Sequence, residues 1–146
     1  MVVEQDGDLL AADAEALVNA VNCVGVMGKG IALEFKRRFP ANFAAYAAAC
    51  RAGEVRLGSM LVVEEDGRVI VNFPTKKHWR SRSRLADVEA GLDDLARVIG
   101  ERGLRSVAVP ALGTGNGGLA WPDVAAAIHD KLGSLPEVTV TLYRPA

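Results

Sequence analysis

Hydrophobic and polar positions along the chain form short apolar blocks that alternate with longer amphipathic stretches. The short blocks have the length and composition of buried strands, and they cover residues 2–5, 17–21, 60–64, 68–73, 106–110 and 138–143. The longer stretches predict helices over residues 31–39, 40–50, 85–101 and 122–132. Glu65, Asp66 and Gly67 predict a hairpin turn between the third and fourth strands. Because the other elements interleave, the pattern predicts an α/β fold with a mixed sheet between helical layers.

Two glycine-rich loops each follow a predicted strand and precede a predicted helix. They are residues 25–30, called here the first glycine loop, and residues 113–118, the second glycine loop. In open α/β folds, ligands bind at the carboxyl ends of strands, where glycine lets backbone N–H groups approach a phosphate. The N-terminus of the following helix also favours negative charge. Two such loops predict a ligand with two phosphates, although either loop alone could simply make a tight turn.

Neither glycine loop predicts NAD or ATP chemistry. Gly113, Gly115 and Gly118 have the spacing of a dinucleotide fingerprint, but only one strand follows them, and Glu137 begins that strand instead of ending one. Lys29 lies between two glycines without the Walker A spacing, and no serine or threonine follows it.

Residues 76–84, called here the basic arm, concentrate positive charge directly after a predicted strand. The arm contains Trp79 among five basic residues, which are Lys76, Lys77, Arg80, Arg82 and Arg84. The whole chain has 17 basic and 18 acidic side chains, so this charge is local. Such a segment could hold phosphates, stack a base or supply a nucleophilic lysine, and the simpler alternative is a solvated loop.

The composition argues against a disulfide-rich protein, a structural zinc site and a membrane span. The 146 residues are enough for one domain with a substantial core. Cys23 and Cys50, with two histidines, are too few for a disulfide framework or a structural zinc site. No apolar run approaches the roughly 20 residues that a membrane span requires. We therefore expect a reduced, cytoplasmic protein with no metal, cofactor or membrane partner.

With these elements in order, the chain resembles a macrodomain, the module that binds ADP-ribose. The resemblance rests on residues 7–10 (GDLL), residues 19–22 (NAVN), both glycine loops and the closing strand. It implies a three-layer α/β/α sandwich with a mixed central β-sheet, formed by a single domain over residues 1–146. It also implies that Asp8 meets the adenine amino group and that Asn22 lies by the distal ribose. The implied ADP-ribose-binding residues are Asp8, Leu9, Asn19, Asn22, Gly28, Lys29, Gly30, Ile31, Thr75, Gly113, Thr114, Gly115, Asn116, Gly117 and Gly118.

Residues 27–36 and 73–81 are most similar to the DarG-type branch of macrodomains, which commonly carry a further domain. This resemblance implies an antitoxin that removes ADP-ribose from thymidine bases of single-stranded DNA after modification by a partner toxin. Lys76 takes the place of the branch's catalytic lysine, and we expect Lys77 and Arg80 to favour its neutral form by repulsion. The expected DNA-contacting residues are Lys77, His78, Trp79, Arg80, Arg82 and Arg84.

One position departs from the related eukaryotic-type enzymes. Those enzymes have a catalytic aspartate in the second glycine loop, and the matching residue here is Gly117. The alternatives therefore include a hydrolase of ADP-ribosylated protein carboxylates or O-acetyl-ADP-ribose, and a non-catalytic module that only binds ADP-ribose. A general single-strand-binding domain is a further alternative, but it would leave both glycine loops unexplained. Trp79 could also cap the core, and His78 could be incidental.

Overall fold

The computed structural model describes residues 1–146 as six strands and four helices. The strands are β1 (Val2–Gln5), β2 (Ala16–Val21), β3 (Leu61–Glu65), β4 (Arg68–Pro74), β5 (Ser106–Val109) and β6 (Thr139–Tyr143). The helices are α1 (Gly30–Arg38), α2 (Pro40–Arg51), α3 (Leu85–Arg102) and α4 (Trp121–Leu132). All the predicted elements are present. The sequence pattern missed two short 3-10 helices, Leu9–Ala11 and Gly115–Gly117.

All six strands form one mixed sheet in the order β1-β6-β5-β2-β4-β3. Only β3 and β4 pair antiparallel, through the predicted hairpin. Asp66 and Gly67 have positive φ angles of 52° and 74°, as the tight hairpin turn requires. The other neighbouring strands are parallel, so their carboxyl ends meet at one edge of the sheet.

Side chains alternate between the two faces of the sheet, and helices cover both faces. On β2, Ala16 and Val18 pack in the larger core cluster, which contains Leu92 of α3 and Ile128 of α4. Leu17 points to the other face and joins a cluster with residues of α1. This arrangement confirms the three-layer α/β/α sandwich. No helix has both the length and the apolar character that crossing a membrane requires.

The strand order brings the chemically interesting loops together. Strands β2 and β4 run in register up to the pair Val21 and Pro74, and the amide of Thr75 donates to the carbonyl of Val21 at 2.8 Å. The first glycine loop follows β2, the basic arm follows β4, and the second glycine loop follows β5. All three segments therefore begin at the same edge of the sheet.

Candidate functional site

A cavity of about 730 Å³ opens at the carboxyl edge of the sheet. Its walls come from the end of β2, the first glycine loop, the start of α1, the basic arm and the second glycine loop. The predicted site residues that line it are Asn22, Gly28, Lys29, Gly30, Ile31, Thr75, Lys76, Trp79, Arg80, Gly113, Thr114, Gly115, Asn116 and Gly117. Segments far apart in the chain are thus combined into one site.

Other predicted site residues lie outside the cavity wall. Asp8 is exposed, and its carboxylate accepts the amide hydrogen of Leu10 at 3.0 Å, which caps the first 3-10 helix. Leu9 is 3% exposed and packs in the core cluster beside α1. The remaining predicted residues outside the wall are Asn19, Lys77, His78, Arg82, Arg84 and Gly118.

Asn19 belongs to a buried amide cluster beneath the site. It lies opposite Asn72 of β4, and its amide nitrogen is 3.5 Å from the Asn72 side-chain oxygen. Asn72 in turn exchanges two hydrogen bonds with Asn42 of α2, at 2.9 and 3.1 Å. All three side chains are fully buried. This cluster joins β2, β4 and α2 and so fixes the strand ends that carry the site.

Asn22 shapes the first glycine loop as well as lining the cavity. Its side-chain oxygen accepts from the amide of Val24 at 3.0 Å, and its amide nitrogen donates to the carbonyl of Val26 at 2.8 Å. The Tyr46 hydroxyl lies 2.7 Å from the same side-chain oxygen. Burial raises the pKa of Tyr46, so this hydroxyl stays protonated and able to donate.

The N-terminus of α1 faces the cavity through Gly30, Ile31 and Ala32. Lys29 precedes the helix and makes no side-chain capping bond. Because the first amides of a helix have no partner within it, this end presents free N–H groups and a partial positive charge. It can accept an anionic group such as a phosphate.

The second glycine loop forms another part of the cavity wall as a closed turn. The amide of Leu119 returns to the carbonyl of Gly113 at 3.0 Å, and the Thr114 hydroxyl donates to the carbonyl of Ala111 at 2.8 Å. Gly113 and Gly115 have φ angles of 73° and 62°, which a side chain would strain. The backbone of this loop is thereby held close to the cavity.

Lys76 brings an amine to the cavity from the end of β4. Its Nζ donates to the carbonyl of Trp79 at 3.1 Å. Partial burial lowers the pKa of Lys76, and the positive charge of Lys29 lowers it further. The expected repulsion from Lys77 and Arg80 is not among the causes; the repelling charge is that of Lys29, which lines the same cavity from the first glycine loop.

The basic arm places an exposed aromatic and a cation at the cavity mouth. Trp79 is 43% exposed, which rules out the alternative that it caps the core. The guanidinium of Arg80 lies 4.5 Å from the Trp79 ring centroid, and the ring centroids of His78 and Trp79 are 5.1 Å apart. The His78 Nδ1 accepts the amide hydrogen of Arg80 at 3.1 Å. These contacts turn the arm into an ordered surface beside the opening.

Sequence reasoning missed Ser83, which also lines the cavity. Its amide donates to the carbonyl of Gly117 at 2.9 Å, while its buried hydroxyl has no hydrogen-bond partner. A Cβ on Gly117 would lie only 2.6 Å from that hydroxyl oxygen. Nothing in the sequence distinguishes Ser83 from Ser81, which does not line the cavity.

Comparison with known proteins yields close relatives over the full chain. A Mycobacterium tuberculosis protein named DNA ADP-ribosyl glycohydrolase is 57% identical over 100% of this chain and 43% of its own length. A Thermosipho africanus protein named DNA ADP-ribosyl transferase-DNA ADP-ribosyl glycohydrolase fusion protein is 33% identical over 96% of this chain and 41% of its own length. The chain therefore spans less than half the length of these relatives.

Solved structures agree with the fold. The macrodomain of Mycobacterium tuberculosis DarG has a TM-score of 0.96 at 57% identity, covering 100% of this chain and 99% of that one. Thermosipho africanus DarTG in complex with ADP-ribose has a TM-score of 0.92 at 33% identity, covering 99% of this chain and 41% of that one. The family model described as Macro domain matches residues 18–133, and the chain belongs to the macrodomain family.

Proposed function

We propose that this chain is a DNA ADP-ribosyl glycohydrolase that removes ADP-ribose from thymidine bases of single-stranded DNA. The observation that carries the proposal is the Lys76 amine, which lines the cavity with a lowered pKa next to the exposed Trp79 and Arg80. The activity named for the 57% identical relative supports the same reaction.

ADP-ribose would lie between the two glycine loops. Its pyrophosphate would accept hydrogen bonds from the first turn of α1, where Gly30 and Ile31 line the cavity. Lys29 would add a positive charge on the same side. The adenine would extend toward Asp8, and the distal ribose toward Asn22 and Lys76. The complex of the Thermosipho africanus relative with ADP-ribose supports this choice of ligand.

Lys76 would act as the nucleophile. The lone pair of its neutral amine attacks C1 of the distal ribose, the bond from C1 to the thymine base breaks, and the base leaves with that electron pair and takes up a proton. Water then adds to C1 as the lysine bond breaks, which releases ADP-ribose and restores the amine. The lowered pKa of Lys76 supports this role because only the neutral amine has a free lone pair.

The basic arm would hold the DNA. Trp79 can stack on a base beside the modified one, while Arg80, Arg82 and Arg84 contact the backbone phosphates. Lys77 and His78, which are also exposed on the arm, would extend this contact. A modified thymidine must lie outside a duplex for its ADP-ribose to enter the cavity, which favours a single-stranded substrate.

In the Thermosipho africanus relative, a DNA ADP-ribosyl transferase is fused to the glycohydrolase, which supports a partner protein that attaches ADP-ribose to DNA. The chain would act as the antitoxin to a DNA ADP-ribosyltransferase and would remove the groups that this toxin attaches. A chromosomal DNA substrate in turn favours a cytoplasmic location.

The decisive experiment compares two ADP-ribosylated substrates. One is a single-stranded oligonucleotide modified on thymidine, and the other is a peptide modified on glutamate. We expect release from the oligonucleotide alone. Lys76→Ala should abolish release while leaving ADP-ribose affinity within a small factor, because the amine acts on the bond and not on binding. Lys131→Ala, on the surface of α4, is the matched control and should keep full activity.

The other outcomes point to the alternatives. Release from the peptide alone would transfer the function to protein or ester substrates. No release from either, with ADP-ribose still bound, would leave a binding module, which the absence of a carboxylate at Gly117 favours. Equal losses of turnover and affinity in Lys76→Ala would contradict the nucleophilic role.

A further inference from the structure

Ser83 combines three features that the proposed reaction does not yet use. The residue lines the cavity, it is 7% exposed, and its hydroxyl is buried without a hydrogen-bond partner. Buried hydroxyls in folded proteins are normally paired, because an unpaired one loses its bonds to water. A ligand that enters the cavity could supply the missing partner.

The second glycine loop determines where this hydroxyl lies. The amide of Ser83 donates to the carbonyl of Gly117 at 2.9 Å, which ties the end of the basic arm to the loop. A Cβ on Gly117 would be 2.6 Å from the Ser83 hydroxyl, and a Cβ on Gly113 would be 3.1 Å from the Ser83 Cβ. The hydroxyl therefore occupies the space that a side chain at Gly117 would need.

We infer that Ser83 is a binding residue for the distal ribose, through a hydrogen bond between its hydroxyl and a ribose hydroxyl. This inference rests on the proposed function, in which Lys76 of the same arm faces C1 of that ribose. A serine hydroxyl both donates and accepts, which matches a sugar hydroxyl, whereas a phosphate only accepts. In the proposed complex, the N-terminus of α1 already binds the phosphates.

The test compares ADP-ribose with ADP, which lacks the distal ribose. Ser83→Ala should bind ADP-ribose about 3- to 10-fold more weakly than the native protein, as expected for one lost hydrogen bond, and should bind ADP equally well. Calorimetric titration gives both affinities. The variant should unfold at the same or a higher temperature, because it removes an unpaired buried hydroxyl. Ser81→Ala is the matched control and should change neither affinity.

Two results would overturn the inference. One is an equal loss of affinity for ADP and ADP-ribose, which would indicate a structural role for Ser83. The other is no loss for either ligand, which would indicate that a water molecule satisfies the hydroxyl. The binding comparison does not depend on catalysis. Failure of the native protein to release ADP-ribose from DNA would therefore contradict the proposed function and leave the role of Ser83 to be decided by the two affinities.

Discussion

At the scale of single residues, the charge state of Lys76 depends on what surrounds its amine. Burial is the larger cause of its lowered pKa, and the positive charge of Lys29 is the smaller one. Lys29 also lies where it can contact the pyrophosphate of a ligand, whose negative charge would act in the opposite direction. We therefore expect the same lysine to affect both ligand binding and the reactivity of the Lys76 amine.

Replacing Lys29 should shift the pH dependence of turnover. A lowered pKa makes the neutral amine available at lower pH, so we expect the rising limb of kcat to follow the deprotonation of Lys76. Lys29→Met removes the repulsion and raises the pKa of Lys76, which moves that limb to higher pH. The measurement is kcat against pH at saturating oligonucleotide. Lys36→Met, on α1 but outside the cavity wall, should leave the profile unchanged. A limb that stays in place or moves to lower pH would exclude the coupling.

Asn19 and Ser83 each have a contact partner that the sequence could not predict. Asn19 occupies a position that resembles a macrodomain motif, yet it faces the same side of β2 as Leu17 and is buried against Asn72. Only the pairing of β2 with β4 reveals that partner, which is 53 residues away. Ser83 likewise depends on its contact with Gly117, and no local pattern predicts that contact.

At the scale of elements, two glycines of α3 differ in the space that is available for a side chain. Gly91 packs against Phe73 of β4, so closely that a Cβ would lie 2.4 Å from the Phe73 ring. Gly100, nine residues further along the same helix, has open space where a Cβ would be. The ring of Phe73 is fully buried and cannot move aside without disturbing the larger core cluster.

Alanine at these two glycines should therefore change stability in opposite directions. Gly91→Ala should lower the free energy of unfolding by about 1–3 kcal/mol, because overpacking outweighs the gain in helix propensity. Gly100→Ala should raise it by roughly 0.5–1 kcal/mol, because only the propensity changes. Urea unfolding followed by circular dichroism measures both values. If both substitutions stabilised the protein, the close packing of α3 on β4 would be disproved.

The elements themselves were predictable because their signals are local. Each strand is a short apolar run, and α3 has its apolar residues at helical spacing with Gly103 in a left-handed conformation at its end. The 3-10 helix Leu9–Ala11 was missed because three residues and one capping contact from Asp8 give no periodicity. The order of the strands was not predicted, because it depends on pairings between distant segments of the chain.

At the scale of the whole molecule, attraction to DNA cannot come from net charge. The formal net charge is −1, so the mean field of the protein does not draw in a polyanion. We expect the attraction to come from the basic arm at the carboxyl edge of the sheet, where Arg80 lines the cavity and Arg82 and Arg84 are exposed. Arg105 precedes β5 and therefore lies at the opposite edge of the sheet.

Because Arg84 belongs to the basic arm and Arg105 lies at the opposite edge of the sheet, we expect the two arginines to contribute differently to the salt dependence of DNA binding. The dissociation constant of Lys76→Ala protein, which we expect to be inactive, would be measured for an ADP-ribosylated single-stranded oligonucleotide over a range of salt concentrations. Adding Arg84→Ala should reduce the slope of log affinity against log salt by about 0.7, which is the value for one lost phosphate contact on a single strand. Adding Arg105→Ala changes the net charge equally but should leave the slope unchanged. Equal changes in both variants would mean that total charge governs binding, and the basic arm would then have no specific part in holding DNA.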